Sequence, residues 1–331
     1  MTSLHKYTIS VLAEKIKNGN RRSLAQAITL IESTVNKHRE QSKTLLKKLS
    51  GSSTASLKIG LTGTPGVGKS TFIESLGLHL IQCGKKIAVL TIDPTSSTSG
   101  GSILGDKTRM ELLSRDPNVF IRPSPNSGSL GGVGRRTRDA ITLCEAAGFD
   151  IILIETVGVG QSETMVSEMT DIFCLLIAPA GGDELQGVKR GIIEMSDIIL
   201  INKADGKLES IAKTTCSEYK NALSLFRKRK YDPPQFPKVM TISAIKGFGL
   251  EQAWAEIEIL ITWRKQHGFF SKIRDEQQLM SFKRELENHF QNQLMQSEFI
   301  IKERHLLENK IRRKEISPNS AAELLISKIF N

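Results

Sequence analysis

The sequence predicts an α/β fold built around a mostly parallel sheet. Seven short apolar runs carry the first part of that reading: Ile59-Gly60-Leu61, Ile87–Ile92, Val119-Phe120-Ile121, Ile151–Ile154, Phe173–Ile177, Ile198–Ile201 and Val239–Ile242. Near-continuous runs of this kind suit strands buried on both faces. Segments of helical periodicity separate them, as parallel βαβ crossovers require. A glycine-rich octapeptide stands directly after the first run, where such folds bind phosphate.

The elements follow in order. Residues from about Thr8 to Leu49 carry helical periodicity, with Leu24, Ile28, Ile31 and Val35 on one face. Ser50-Gly51-Ser52-Ser53-Thr54 is a breaker cluster and a candidate boundary. The strand-and-helix alternation then runs to about Trp263. Beyond it Leu279, Phe282, Leu286, Phe290 and Leu294 repeat at three and four, so they share one helix face. Ser317-Pro318-Asn319 breaks this pattern, and Ala321–Phe330 reads as a short terminal helix. The expected organisation is an N-terminal helical extension (1–50), a P-loop α/β domain (51–264) and a C-terminal helical arm (265–331).

Composition narrows the partners. With 331 residues, 39% of them apolar, the chain can bury a large core, which excludes a disordered tail, a fibre or a disulfide mini-protein. A formal charge of +11 permits nucleic acid or an acidic membrane as partner. The basic residues are scattered, however, and aromatics are only 5%, too few for a base-stacking platform. Neither nucleic acid nor membrane is expected. No apolar run approaches the ~20 residues of a spanning helix. Cys83, Cys144, Cys174 and Cys216 form no close metal spacing. They read as structural thiols of a reducing compartment, and the chain as cytoplasmic.

Gly63-Thr64-Pro65-Gly66-Val67-Gly68-Lys69-Ser70 fits G-x-x-x-x-G-K-[ST]. The glycines let backbone N–H groups turn inward around phosphate, and the following helix adds its positive end. Lys69 is placed for the β- and γ-phosphates and Ser70 for Mg²⁺. Asn202-Lys203-Ala204-Asp205 follows the sixth run, at a strand end where open α/β sheets bind ligands. A carboxylate there can accept from guanine N1–H and the exocyclic amine, a donor pair adenine lacks. Ser243-Ala244 follows the last run and completes a base pocket. Asp93 and Glu155 also follow strand ends, and Asp106 lies in Gly105-Asp106-Lys107-Thr108-Arg109. Each can hold Mg²⁺ or its waters, or serve as a cap or surface turn.

The segments GLTGTPGVGKSTFIE, DPTSSTSGGSILGDKTRM, GSLGGVGRRTRDA, ETVGVGQSE and LINKADG resemble the methylmalonyl-CoA mutase-associated GTPase family, known in older usage as LAO/AO transport kinases. The resemblance covers nearly the whole chain. It implies a P-loop GTPase of the branch that includes the nickel-chaperone and signal-recognition GTPases. It further implies a homodimer that acts as chaperone of an adenosylcobalamin-dependent acyl-CoA mutase, with GTP binding and hydrolysis gating cofactor loading. On this resemblance Gly63 to Thr71 (Gly63, Thr64, Pro65, Gly66, Val67, Gly68, Lys69, Ser70, Thr71) wrap the phosphates. Ser70, Asp93, Asp106 and Glu155 surround metal and γ-phosphate. Asn202, Lys203 and Asp205 serve the base, with Ser243, Ala244 and Ile245 beside it. Residues 181–191 match a switch loop that answers to the mutase, with Lys189 as its charge-stabilising group; without the resemblance the Lys189-Arg190 pair reads first as a solvated helix face.

One departure from the Ras-type pattern matters. Val159 follows Glu155-Thr156-Val157-Gly158 where Ras-type enzymes place a water-orienting glutamine. Valine cannot orient water, so slow intrinsic hydrolysis is expected. Gln161 stands two positions late and receives no role. Arg135, Arg136 and Arg138 suit either a partner or a solvated helix start. Three other functions compete. A nickel metallochaperone would want a His-rich or Cys/His site, and the six histidines are scattered. A transport-system kinase would need a phosphoacceptor that nothing in the chain identifies. A nucleotide-dependent structural dimer would show negligible turnover.

Overall fold

The computed structural model describes residues 8–51, 56–93, 110–125, 130–156, 162–179, 190–226 and 229–330. The chain forms two compact units, the first ending at Arg274 and the second comprising Asp275–Asn331. The first holds a seven-stranded sheet: β1 (Leu57–Thr62), β2 (Ile87–Asp93), β3 (Val119–Pro125), β4 (Ile151–Thr156), β5 (Ile172–Ile177), β6 (Ile198–Ile201) and β7 (Lys238–Thr241). Its order is β3-β2-β4-β1-β5-β6-β7, and every pairing is parallel. All seven apolar runs are therefore strands. The chain travels outward from β1 to β2 and β3, returns to β4, then crosses β1 to build β5, β6 and β7. That reversal leaves a crevice at the C-terminal end of β1, where such sheets bind ligands.

The strands alternate strictly between two cores. Ala88, Leu90, Ile92, Ile152, Ile154, Phe173 and Leu175 face one side. It is covered by α1 (Ile9–Lys17), α2 (Arg21–Glu32), α3 (Asn36–Leu49), α6 (Leu130–Ala146), α7 (Ser162–Ser167), α8 (Arg190–Met195) and α9 (Glu209–Ser224). Ile87, Val89, Ile151, Leu153, Ile172 and Cys174 face the other side. There α4 (Lys69–Gln82), α5 (Glu111–Arg115) and α10 (Leu250–Gln266) pack. The helical stretch before the sheet is thus three helices that share the first core. Thr8 and Asn20 cap α1 and α2 by accepting from the N–H groups of Val11 and Ser23.

The N-terminal edge of the sheet has its own chemistry. An aspartate precedes each of β4, β5 and β6 and accepts a backbone N–H at or just before the start of a neighbouring strand. Asp150 takes Lys86 N at 2.8 Å, Asp171 takes Lys58 N at 2.8 Å and Asp197 takes Phe173 N at 2.7 Å. Arginines from the last helices of this unit neutralise two of them. Arg264 donates to Asp197 at 2.7 Å, to Asp232 at 2.6 Å and to the Asp171 carbonyl at 2.6 Å. Arg274 grips both carboxylate oxygens of Asp171 at 2.7 Å. Burial works against the Arg264 charge, but Asp197 and Asp232 overcome it and raise its pKa.

α11 (Phe269–Gln296) begins in the first unit and runs into the second, which also holds α12 (Glu298–Arg312) and α13 (Pro318–Phe330). Ile300, Leu307 and Ala321 are buried, and Lys328 of α13 pairs with Glu303 of α12 at 2.6 Å. Pro318, expected as part of a break, starts α13: proline lacks an N–H that the first helical position would leave unbonded. Leu279, Phe282, Leu286 and Phe290 are exposed along α11. Among the described residues no helix is long and apolar enough to cross a membrane.

Candidate nucleotide site

The glycine-rich loop leaves β1 at Thr62 and enters α4 at Lys69. Two glycines are dictated by space and backbone. A Cβ at Gly63 would lie 2.3 Å from the Leu176 carbonyl oxygen of β5. Gly68 has φ +93°, and a Cβ there would lie 2.6 Å from Asn202 Nδ2. Val67, 2% exposed, anchors the loop in the core below α4, while Pro65 and Gly66 face solvent. Lys69 is buried, and its ammonium donates to the carbonyls of Gly63 at 2.7 Å and Thr64 at 3.1 Å. The charge is held inside the loop, and the α4 N-terminus opens on the same space.

Register brings Glu155 to this loop. Leu61 of β1 pairs with Glu155 of β4. Glu155 is 3% exposed, and its Oε1 accepts from the Ser70 hydroxyl at 3.3 Å. A hydroxyl and a carboxylate converging at a phosphate loop are hard oxygen donors, the set that suits Mg²⁺. Thr156 donates to Thr62 Oγ1 at 2.9 Å, which fastens the tips of β4 and β1 together. Asp93 ends β2 at the same edge of the sheet. Asp106, Lys189 and the segment 157–161 lie outside the described residues.

The base-side motif does more than follow a strand. Asn202 is 2% exposed and caps no helix. Its Nδ2 donates to the Val67 carbonyl at 2.8 Å, and its Oδ1 accepts from Ala244 N–H at 3.0 Å. One side chain thus ties the phosphate loop to the loop after β7. Lys203 holds φ +60°, an uncommon conformation for a residue with a Cβ. The Ser243 hydroxyl donates to Asp205 Oδ1 at 2.6 Å and accepts from Lys246 N–H at 3.2 Å. That bond fixes the Asp205 carboxylate, which is partly exposed at the crevice. Ile245 is 75% exposed beside it.

The structure therefore brings together Gly63 to Thr71, Glu155, Asn202 to Asp205 and Ser243 to Ile245 at one edge of the sheet. Sequence reasoning missed the bridging role of Asn202 and the Thr62–Thr156 tie. It also missed Ser75 of α4, whose hydroxyl donates to the Ala244 carbonyl at 2.7 Å. No motif marks Ser75; a polar residue inside an otherwise apolar helix face was the available signal. Arg135, Arg136 and Arg138 lie on α6, away from these loops in sequence. Burial and the neighbouring Arg135 charge lower the Arg136 pKa. Among the described residues no cluster of His, Cys, Asp and Glu could hold a metal ion by itself.

The family model described as "Methylmalonyl Co-A mutase-associated GTPase MeaB" matches residues 24–298. A probable GTPase of Mycobacterium tuberculosis is 44% identical over 96% of this chain and 94% of its own length. The protein named methylmalonic aciduria type A homolog, mitochondrial, of Mus musculus is 45% identical over 93% of this chain and 76% of its own. A crystal structure described as a LAO/AO transport system kinase superposes with a TM-score of 0.79 at 33% identity, covering both chains fully. The chain belongs to the methylmalonyl-CoA mutase-associated GTPase family MeaB, a family of guanine-nucleotide-binding GTPases.

Proposed function

We propose that this protein is a GTP-hydrolysing chaperone of an adenosylcobalamin-dependent acyl-CoA mutase, with methylmalonyl-CoA mutase as the client, gating cofactor loading and protecting the mutase. The observation that carries the nucleotide part is the Asn202 bridge between Val67 and Ala244. It makes the phosphate loop and the base loop one rigid receptor whose two ends are set at a fixed spacing. The client part rests on the family, which is associated with that mutase.

In this reading the backbone of Gly63 to Thr71 cradles the phosphates, and Lys69 turns from its own loop carbonyls to the β- and γ-phosphates. Asp205, oriented by Ser243, accepts from guanine N1–H and the amine; Lys203 and Ile245 flank the base. Ser70, Asp93, Asp106 and Glu155 are the oxygen donors that would hold Mg²⁺ directly or through its waters. When bound, the metal neutralises charge that develops on the phosphates. Lys189 supplies charge stabilisation from the 181–191 loop. With Val159 at the Ras-type glutamine position, no side chain there orients water, so intrinsic turnover is slow and the client accelerates it. The exposed stripe Leu279, Phe282, Leu286 and Phe290 pairs two copies of the chain across a two-fold axis. The protein works in the cytoplasm.

The test is single-turnover GTP hydrolysis with and without purified methylmalonyl-CoA mutase. Acceleration by the mutase is the expected result. Identical rates, together with no co-elution of the two proteins, would leave the metallochaperone and transport-kinase readings ahead of this one.

A further inference from the structure

Ser75 stands in the second turn of α4, far in sequence from the base loop. A helix interior gains nothing from serine, whose hydroxyl competes for backbone bonds. Here the hydroxyl does not bond back to its own helix. It crosses to the Ala244 carbonyl at 2.7 Å, a contact spanning 169 residues. The same residue has its N–H held by Asn202 Oδ1 at 3.0 Å. Ala244 itself is 2% exposed, so neither group finds water as a substitute. Both peptide planes that meet at Ala244 are therefore tied to the phosphate-binding element, one through Asn202 and Val67, the other through Ser75.

The consequence follows from peptide planarity. The Ala244 carbonyl and the Ile245 N–H belong to one trans peptide and point in opposite directions. By drawing the carbonyl toward α4, Ser75 aims the Ile245 N–H away from α4. Guanine carries an acceptor oxygen at position 6, where adenine carries an amino donor. A fixed N–H donor therefore welcomes the first and rejects the second. We infer that Ser75 is a positioning residue for guanine recognition: it orients the Ala244–Ile245 peptide so that the Ile245 N–H meets the oxygen at position 6. This rests on the reading of Asp205 and Ser243 as the base site and adds a second discriminator at the neighbouring position of the same base edge. Asp205 reads the donors at N1 and the amine; the peptide reads the acceptor.

GDP, IDP and ADP separate the two. IDP keeps the oxygen at position 6 and loses the amine. Ser75→Ala is expected to weaken GDP and IDP by the same factor, about three- to tenfold for one neutral hydrogen bond. ADP affinity stays unchanged, and Ser75→Thr, which keeps the hydroxyl, binds GDP within about twofold of the parent. Competition against a fluorescent GDP analogue gives all three affinities. Unchanged GDP affinity in Ser75→Ala, an equal loss for ADP, or no recovery in Ser75→Thr would each overturn the inference, the last two by assigning the effect to packing. Asp205→Asn tells the two readings apart. Loss of the GDP-over-IDP preference there, with Ser75→Ala silent, overturns Ser75 alone. Full retention of the GDP-over-ADP preference in Asp205→Asn removes the base site on which the inference stands.

Discussion

Arg264→Met removes a guanidinium from the base of the sheet while keeping a good helix former with an apolar stem in α10. Arg264 is 5% exposed, and the Asp197 and Asp232 side chains it neutralises are 7% and 2% exposed. Removing one partner of a buried ion pair costs about 3–5 kcal/mol, because the remaining charge stays out of water. Arg229 softens the loss: its Nη1 lies 2.8 Å from Asp197 and 3.5 Å from Asp232. The lower part of the range, about 3–4 kcal/mol, is therefore expected. For a unit of this size each kcal/mol lowers Tm by about 2 °C, so the fall is about 6–8 °C. A thermal melt followed by circular dichroism measures it. Adding Asp232→Asn should recover part of the loss, since an amide leaves less unpaired charge in the same place. GDP affinity should not change, because the network sits at the N-terminal edge of the strands and the nucleotide loops leave from the other. A Tm within 2 °C of the parent, or a GDP affinity that falls in step with Tm, would refute this account of the network.

Lys69→Ala and Ser70→Ala should each abolish or greatly weaken GTP hydrolysis while the circular dichroism spectrum is kept; parental turnover in either would move the phosphate site elsewhere. Leu286→Glu combined with Phe290→Glu places two charges in the exposed stripe of α11 and should give a monomer by light scattering that still binds GDP, whereas a monomeric parent at micromolar concentration would refute the dimer. Cysteine reactivity reports packing. Burial pushes the thiols of Cys144, Cys174 and Cys216 upward, away from the reactive thiolate, and Cys83 is exposed. A thiol reagent at pH 8 should therefore modify Cys83 alone within minutes and all four cysteines in denaturant; rapid reaction of a second native cysteine would show that the sheet core opens.

Much of this protein is legible in its sequence because its signals are local. Each strand is an apolar run buried on both faces, so it needs no partner to be recognised, and a glycine loop between strand and helix announces phosphate wherever it occurs. Lys69, Ser70 and Asp205 lie within such signals. Glu155 does too, since a strand end is itself a local feature, but only register sets it against Ser70. What tertiary structure alone decided is which distant groups share a bond. Asn202 reads locally as part of a base-side motif at a strand end, yet it spans from Val67 to Ala244, because the β1–β5–β6–β7 order brings the two loops to one edge. Ser75 and Arg264 look like ordinary helix residues. Their partners lie 169 and 67 positions away, and no periodicity or motif encodes a contact of that length. Sequence determines what each segment can form; the closing of the sheet determines which buried polar groups must satisfy one another, and that requirement assembles the site.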